Sequence, residues 1–474
     1  MRTTLTSVLI LGCAAGAVRA QVYPAQMVIK NGDASGTSTI SDLNDPYTNG
    51  LNEVGFVASL ADNSRAIYAG GTVVFNSSSD PNAVGAEGTM GISDAHDFLY
   101  SPTYSGADAV YTASGVLLKD GDPAPGFPGT FSTFNSRPRM MANGTAVWIG
   151  GTGLTVGGST NQRVMYKNPT PATPGATVPV FAGGHLVGTE AVTAQGIGFA
   201  YDMSDNAAHY INVVNLGVST ATDLTILVDG VTIAAREGGT TGQGDAWQNF
   251  GGVGVNNSGQ FVYSGDTNGA TATDGFVAGP TGILLREGSS IAGKTYSGAI
   301  DSVSINNNGM VAFIADTGGT TEALFRAPLN DFSQAVLLLE TGAGIDTDGD
   351  TVADYTVTDF NASLTIAPGL DLPDDGSVYV NVDISSPGGA ALGKAIIRLG
   401  APNGPSCDSI DFNNDTLFPD TADIDDFLSV FSGGPCSTDP APGCNDIDFN
   451  NDTLFPDTTD IDSLLSVFSG GPCL

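Results

Sequence analysis

Two short phrases recur along the first four hundred residues, and a chain that repeats a strand-and-turn unit has few folds open to it. The first phrase is an apolar strand end running into a polar residue and Gly: Val28–Gly32, Leu117–Gly121, Val180–Gly184, Ala235–Gly238, Leu284–Gly288 and Leu338–Gly342, with a weaker copy at Val73–Asn76. The second is an Asn/Asp-Gly turn opening an alternating strand: Asn143-Gly144, Asn257-Ser258-Gly259, Asn308-Gly309 and Asp375-Gly376. Gly238 to Gly288 and Gly259 to Gly309 both span 50 residues. Repeats of 40 to 50 residues built from short strands and Gly turns point to blades of a β-propeller, with an irregular multi-sheet β protein as the alternative. About seven units are expected. The last stops at Ala395–Arg398 without a first phrase, while the chain opens with an orphan copy at 27–32, so the N-terminal strand is expected to complete the final blade.

The 474 residues carry 15 basic and 50 acidic side chains, a formal charge of −35. The basic residues stand singly among carboxylates, which excludes the cationic stripe a nucleic-acid partner requires. Only seven of the acids are Glu; the rest are Asp, a residue of turns, caps and hard-cation ligation. Residues 1–20 read as an export signal, with Arg2, an apolar run Val8–Ala17 and Val18-Arg19-Ala20 as the cleavage site. No later stretch is long and apolar enough to span a membrane. The expected location is therefore extracellular, cell-surface or periplasmic. The domain plan is a body at 21–400, a linker at 401–406 and a C-terminal module at 407–474.

That module holds fourteen Asp and no Lys, Arg, Glu or His. Residues 407–436 and 444–473 are copies that differ at five of 30 positions. In the first copy Asp411, Asn413, Asp415 and the Leu417 carbonyl have the spacing of positions 1, 3, 5 and 7 of an EF-hand-type calcium loop; Asp448, Asn450, Asp452 and Leu454 repeat it. Thr416 and Thr453 replace the usual Gly. The carboxylate of position 12 comes one residue late, as Asp423 and Asp460, with Asp420 and Asp457 near position 9. Ile424, Phe427, Leu428 and Phe431, repeated as Ile461, Leu464, Leu465 and Phe468, give each loop a following amphipathic helix that stops at a Gly pair. Because the layout is duplicated, the disulfides Cys407–Cys436 and Cys444–Cys473 are expected, one per repeat. Cross-repeat pairing is the other possibility.

With Asp446–Asp452 and Ser469–Cys473 in view, the module resembles a Gly-Cys-type dockerin, the tandem calcium-loop-and-helix unit that ends secreted bacterial proteins. The resemblance covers about 68 residues. It implies bound calcium and a cohesin-like or other cell-surface partner, met by Asp420 and Thr421 and by Asp457 and Thr458. The body resembles bacterial propeller-like repeat domains only loosely, and that likeness implies no activity.

Other motifs count for less. Gly288–Thr295 matches a phosphate-loop pattern, but the Gly-, Ser- and Asn-rich 296–308 cannot supply the required helix. Asp346, Asp348, Asp350 and Asp354, with the Val352 carbonyl, space like a further calcium loop. Asp-Gly turn chemistry explains them equally well. His96, His185 and His209 lie far apart, and Trp148 and Trp247 suit a core. The expectation is an exported, non-enzymatic binding or display protein carried by the C-terminal module, with calcium its only cofactor. The alternative is a carbohydrate-active hydrolase delivered by the same module. Two carboxylates about 5–10 Å apart in an axial pocket would favour the enzyme.

Overall fold

A computed structural model describes residues 21–80, 82–84, 91–217, 219–319, 321–362, 369–400, 409–415, 420–438, 443–445, 447, 449 and 458–468. The body ends at Leu399 and a second compact unit begins at Gly400. Among the described residues no helix is long and apolar enough to cross a membrane.

The body is a β-propeller. Its regular blades are four-stranded antiparallel meanders, and the described residues form six of them. Their first strands are Ser38–Leu43, Thr133–Met140, Glu190–Met203, Trp247–Val255, Ile300–Ile305 and Tyr355–Phe360. This corrects the expectation of about seven. Between the first and second regular blades lies a sheet that is not a regular blade, since Ala83–Val84, Leu99–Tyr100 and Thr103–Tyr104 are two residues each and only Ala107–Thr112 and Gly115–Lys119 are longer. The physical reason is local. From Ser77 to Gly106 the chain is broken by Ser, Pro, Asn, Asp and Gly, which leave no alternating run for a long strand.

Closure is supplied by the N-terminus. Gln26–Lys30 pairs antiparallel with Ala391–Leu399 as the fourth strand of the last blade, and Val22–Pro24 runs parallel to Gly344–Asp346 in the same sheet. Each neighbouring pair of sheets then buries its own apolar layer. Ile29, Tyr379 and Ile396 of the last blade meet Ile40, Phe56 and Tyr68 of the first, so the joint that closes the ring is packed like any other. Trp148 lies buried with Tyr166 and Phe131 against the irregular sheet, and Trp247 lies buried with Phe250 and Phe276 between the third and fourth regular blades. Both tryptophans are core residues, as their sequence context suggests.

The first phrase marks the end of each fourth strand, where an ion pair recurs with its polarity free to reverse. Arg236 pairs with Glu190, Arg286 with Asp245, and Lys294 with Glu340. The phosphate-loop match is part of this device: Ser290–Ile291 and Lys294–Thr295 form a small hairpin, and no helix follows.

In the C-terminal unit two helices are present, α1 (Thr421–Phe431) and α2 (Thr458–Phe468). Phe427 and Leu464 are buried with Phe412 and Phe449, so half of this small core comes from the loops rather than the helices. Leu428 and Leu465, expected in the buried stripe, are 47% and 48% exposed. The expected disulfides are also corrected, because Cys436 is bonded to Cys444. This bridge joins the two copies, the cross-repeat pairing that the duplicated layout had made the second choice. Gly433, at φ 82°, turns the chain back, and Asp426 holds Ser437 through its backbone N–H at 2.8 Å and its hydroxyl at 2.5 Å. That places Cys436 to close the Pro- and Gly-containing segment between the repeats. A loop of this size contributes about 2–3 kcal/mol by chain entropy. Cys407 and Cys473 lie outside the described residues.

Replacing Ile396, fully buried where the last blade meets the first, by Ala should lower unfolding free energy by about 2–5 kcal/mol in urea titration. A loss below about 0.5 kcal/mol would mean that the closing joint is not packed as described.

Candidate functional site

The turns joining the first and second strands of successive units touch one another and form a belt. Asn256 Nδ2 donates to Asn306 O at 2.9 Å, and Asn306 Nδ2 donates to Pro373 O at 2.9 Å. One position further along, the backbone N–H of Asn257 donates to Asn307 Oδ1 at 2.8 Å and that of Asn307 to Asp374 Oδ1 at 2.8 Å. The same pattern joins the first blade to the irregular sheet, where Asn49 Nδ2 reaches Ser93 O at 3.2 Å and Gly50 N–H reaches Asp94 Oδ1 at 2.8 Å. Asn206 N–H continues it to Asn257 Oδ1 at 2.9 Å. Where the slot holds Ala142, which has no side-chain acceptor, Asp94 N–H takes the Ala142 carbonyl at 2.9 Å instead. Between last and first blades, Asp371 Oδ2 accepts from the Thr48 N–H at 2.6 Å and hydroxyl at 2.9 Å. An Asx side chain suits this work because its short amide or carboxylate caps its own turn while reaching the next.

Inside the belt lies a cavity of about 100 Å³, open at its mouth, to which every unit of the ring contributes. Among the described residues four carboxylates face one cation there, and Arg139 is already paired with Asp202 and lies 5.1 Å from the Tyr47 ring centroid. Asp205 and Asp374 each accept from Asn307 Nδ2 at 2.9 Å, so their Oδ2 atoms lie within 5.8 Å of each other. Burial pushes the Asp205 carboxyl up to about 6; the Asn307 amide pulls it down, Asp371 and Asp374 add to the rise, and Arg139 opposes it.

The four are not equivalent. Asp374 has both oxygens on Asn307. Asp371 has one on Thr48 and the other on Ser304 and the Leu372 N–H. Asp202 has one on Arg139 and the other on the Val255 N–H, at 2.8 Å. Asp205 alone spends a single oxygen, leaving Oδ1 with no protein donor among the described residues. This site was not foreseen. Its sequence signal is the alignment of Ser204-Asp205-Asn206-Ala207 with Asn256–Gly259 and Asn306–Gly309, which the Ala at the Gly position conceals; Ala207 nevertheless holds φ at 54°.

The sequence-predicted residues fall elsewhere. Asp346, Asp348 and Asp354 bring ligand atoms within 4.8 Å of one another, which fits a small hard cation; Asp350 is not in that group, and Val352 is 62% exposed. In the C-terminal unit Asp411 Oδ1 and Asn413 Oδ1 converge on the Asp415 N–H at 3.0 and 3.1 Å, a cradle of suitable oxygens. Asp423 is fully buried, and its two oxygens accept the N–H groups of Phe412 at 2.9 Å and Asp420 at 3.1 Å. It therefore serves as the partner of Asp420 in a capping box at the start of α1. Thr421 is exposed beside it, and Asp460 is fully buried. Leu417, Asp448, Asn450, Asp452, Leu454 and Asp457 lie outside the described residues, and of Thr458 only its place at the start of α2 is described. The histidines stay apart: His96 contacts Glu53, His185 the Gly230 carbonyl and His209 Asp229.

No family model matches the chain, and no curated protein matches it. Among solved structures, the WD40 β-propeller domain of Doa1 is similar at 10% identity and TM-score 0.36, over 79% of this chain and 96% of that one. BBS1N in complex with ARL6DN is similar at 12% identity and TM-score 0.34, over 79% and 97%. A protein of unknown function from Bacteroides caccae is similar at 10% identity and TM-score 0.29, over 58% and 89%. Likenesses this distant add nothing to the architecture that strand order already gives.

Because the folded-state value of Asp205 lies above the ordinary carboxyl value of about 3.9, the fold favours its neutral form. The stability this confers is complete at acid pH and is lost as pH rises through about 6. Asp205→Asn, a permanent mimic of the neutral acid, should therefore raise Tm at pH 8 and leave it unchanged near pH 4. An increment independent of pH would contradict the assignment.

Proposed function

We propose that this is an exported binding protein whose axial pocket recognises a small polar ligand and whose C-terminal unit tethers it to a cell-surface partner. The observation that carries the binding half is the state of the four axial carboxylates. Three are consumed as struts between blades, and one oxygen, Asp205 Oδ1, is left for a ligand. A hydrolase needs a second carboxylate free to act as base or nucleophile. Asp205 and Asp374 lie side by side on the Asn307 amide, which is what favours the hydrolase as a second reading, but both oxygens of Asp374 are held by Asn307.

The tethering half rests on the export-type N-terminus, the duplicated Asp-rich repeats and their dockerin resemblance. The Cys436–Cys444 bridge suits an oxidising compartment. Calcium would be held by Asp411, Asn413 and Asp415 and their counterparts in the second repeat, with Asp346, Asp348 and Asp354 as an additional body site. It would neutralise part of the −35 charge and order these loops. The partner is a cohesin-like surface protein met along α1 and α2.

Full-length chain immobilised on beads should capture a partner from cell-surface extract in calcium and release it in chelator, while a chain ending at Gly400 captures none. Capture indifferent to calcium, or equal without the C-terminal unit, would defeat the tethering half. Turnover of nitrophenyl glycosides that is abolished by Asp205→Asn would move the hydrolase to first place.

A further inference from the structure

The chemistry of the axial pocket narrows its ligand, given the reading of that pocket as a binding site. An anion is excluded by charge, since the single guanidinium there is neutralised by Asp202 while Asp371 and Asp374 stand opposite. A bare metal ion is disfavoured by the count of free oxygens: hard cations take six or more, whereas the carboxylates here have all but one committed to N–H and O–H donors. A guanidinium binds a carboxylate through both oxygens, and Asp205 Oδ2 is occupied by Asn307. A compact ammonium needs only one. The walls carry polar side chains for the remainder of such a ligand, and one of the lining residues, Ser302, has a buried hydroxyl with no hydrogen-bond partner among the described residues.

We propose that the axial pocket binds a small hydrophilic primary amine, an amino sugar being the simplest compound that fits, with the ammonium on Asp205 Oδ1 and the hydroxyls against the Asn- and Ser-lined wall. The ammonium donates one charge-assisted hydrogen bond to Oδ1 and meets the field of Asp371 and Asp374. The polyhydroxy remainder occupies the rest of the cavity, whose volume of about 100 Å³ is more than one ion requires. Selectivity for the amine over a neutral sugar follows from desolvation, because a hydroxyl at the same place would leave clustered negative charge uncompensated in a partly buried site.

Calorimetric titration of the full chain at neutral pH and fixed ionic strength tests this, with glucosamine as probe and glucose and N-acetylglucosamine as neutral comparators. Glucosamine should bind with millimolar or better affinity, and both comparators at least tenfold more weakly. Asp205→Asn should weaken glucosamine by tenfold or more, whereas Asp331→Asn, which removes one exposed charge far from the pocket in sequence and keeps its cap, should not. Tm measured on the same samples separates lost binding from lost fold. Equal affinity for all three sugars would overturn the ammonium assignment and leave the binding reading standing. Silence from all three at millimolar concentration would overturn both, as would glucosamine binding that survives Asp205→Asn unchanged at a site outside the pocket.

Discussion

Everything described here depends on how one blade is joined to the next, and the most informative of those joints are the Asx hydrogen bonds of the inner belt. Apolar layers between sheets supply most of the cohesion, at roughly 25 cal/mol per Å² buried, but they are non-directional and would tolerate small slips. Bonds from Asn257 to Asn307 and from Asn307 to Asp374, each 2.8 Å, fix the register of three successive turns. A belt built from Asn and Asp has a side effect. It carries carboxylates to the axis and packs them beside one another, where all but one have both oxygens satisfied by donors of neighbouring turns and strands. The binding site is thus what the belt leaves over.

Much of the architecture could be read in the residues because turns are chemically demanding. A positive φ at Gly259 and Gly309 leaves few alternatives to Gly, so the repeat shows through a sequence whose strands have drifted. The orphan first phrase at 27–32 located the closing strand for the same reason. The number of regular blades was less legible, since among the described residues of the unit between 77 and 119 the outer strands are long and the others are two residues each. The repeat phrase marks the outer end, so it counted a blade where the inner half is irregular.

The axial site was illegible for a different reason. Nothing about Asp205 in isolation differs from other turn Asp residues, and its distinction lies in its burial at the axis and in giving a single oxygen to Asn307, 102 residues away. Long-range pairing across a closed ring leaves no local spacing to read. In the C-terminal unit the duplicated layout favoured one bridge within each copy, whereas the bridge formed, Cys436–Cys444, joins the two copies. Asp426 and Ser463 occupy equivalent positions yet differ in chemistry, and it is Asp426 that anchors Ser437 and with it the inter-repeat bridge.

The central claim is that one axial carboxyl is held unlike the rest. Titration of the Asp205 side-chain carboxyl by carbon-13 NMR, assigned by its disappearance in Asp205→Asn, measures that directly. The account predicts a midpoint near 6. A midpoint at the ordinary Asp value, about 3.9, would contradict it and with it the case for a ligand-binding oxygen at the centre of the ring.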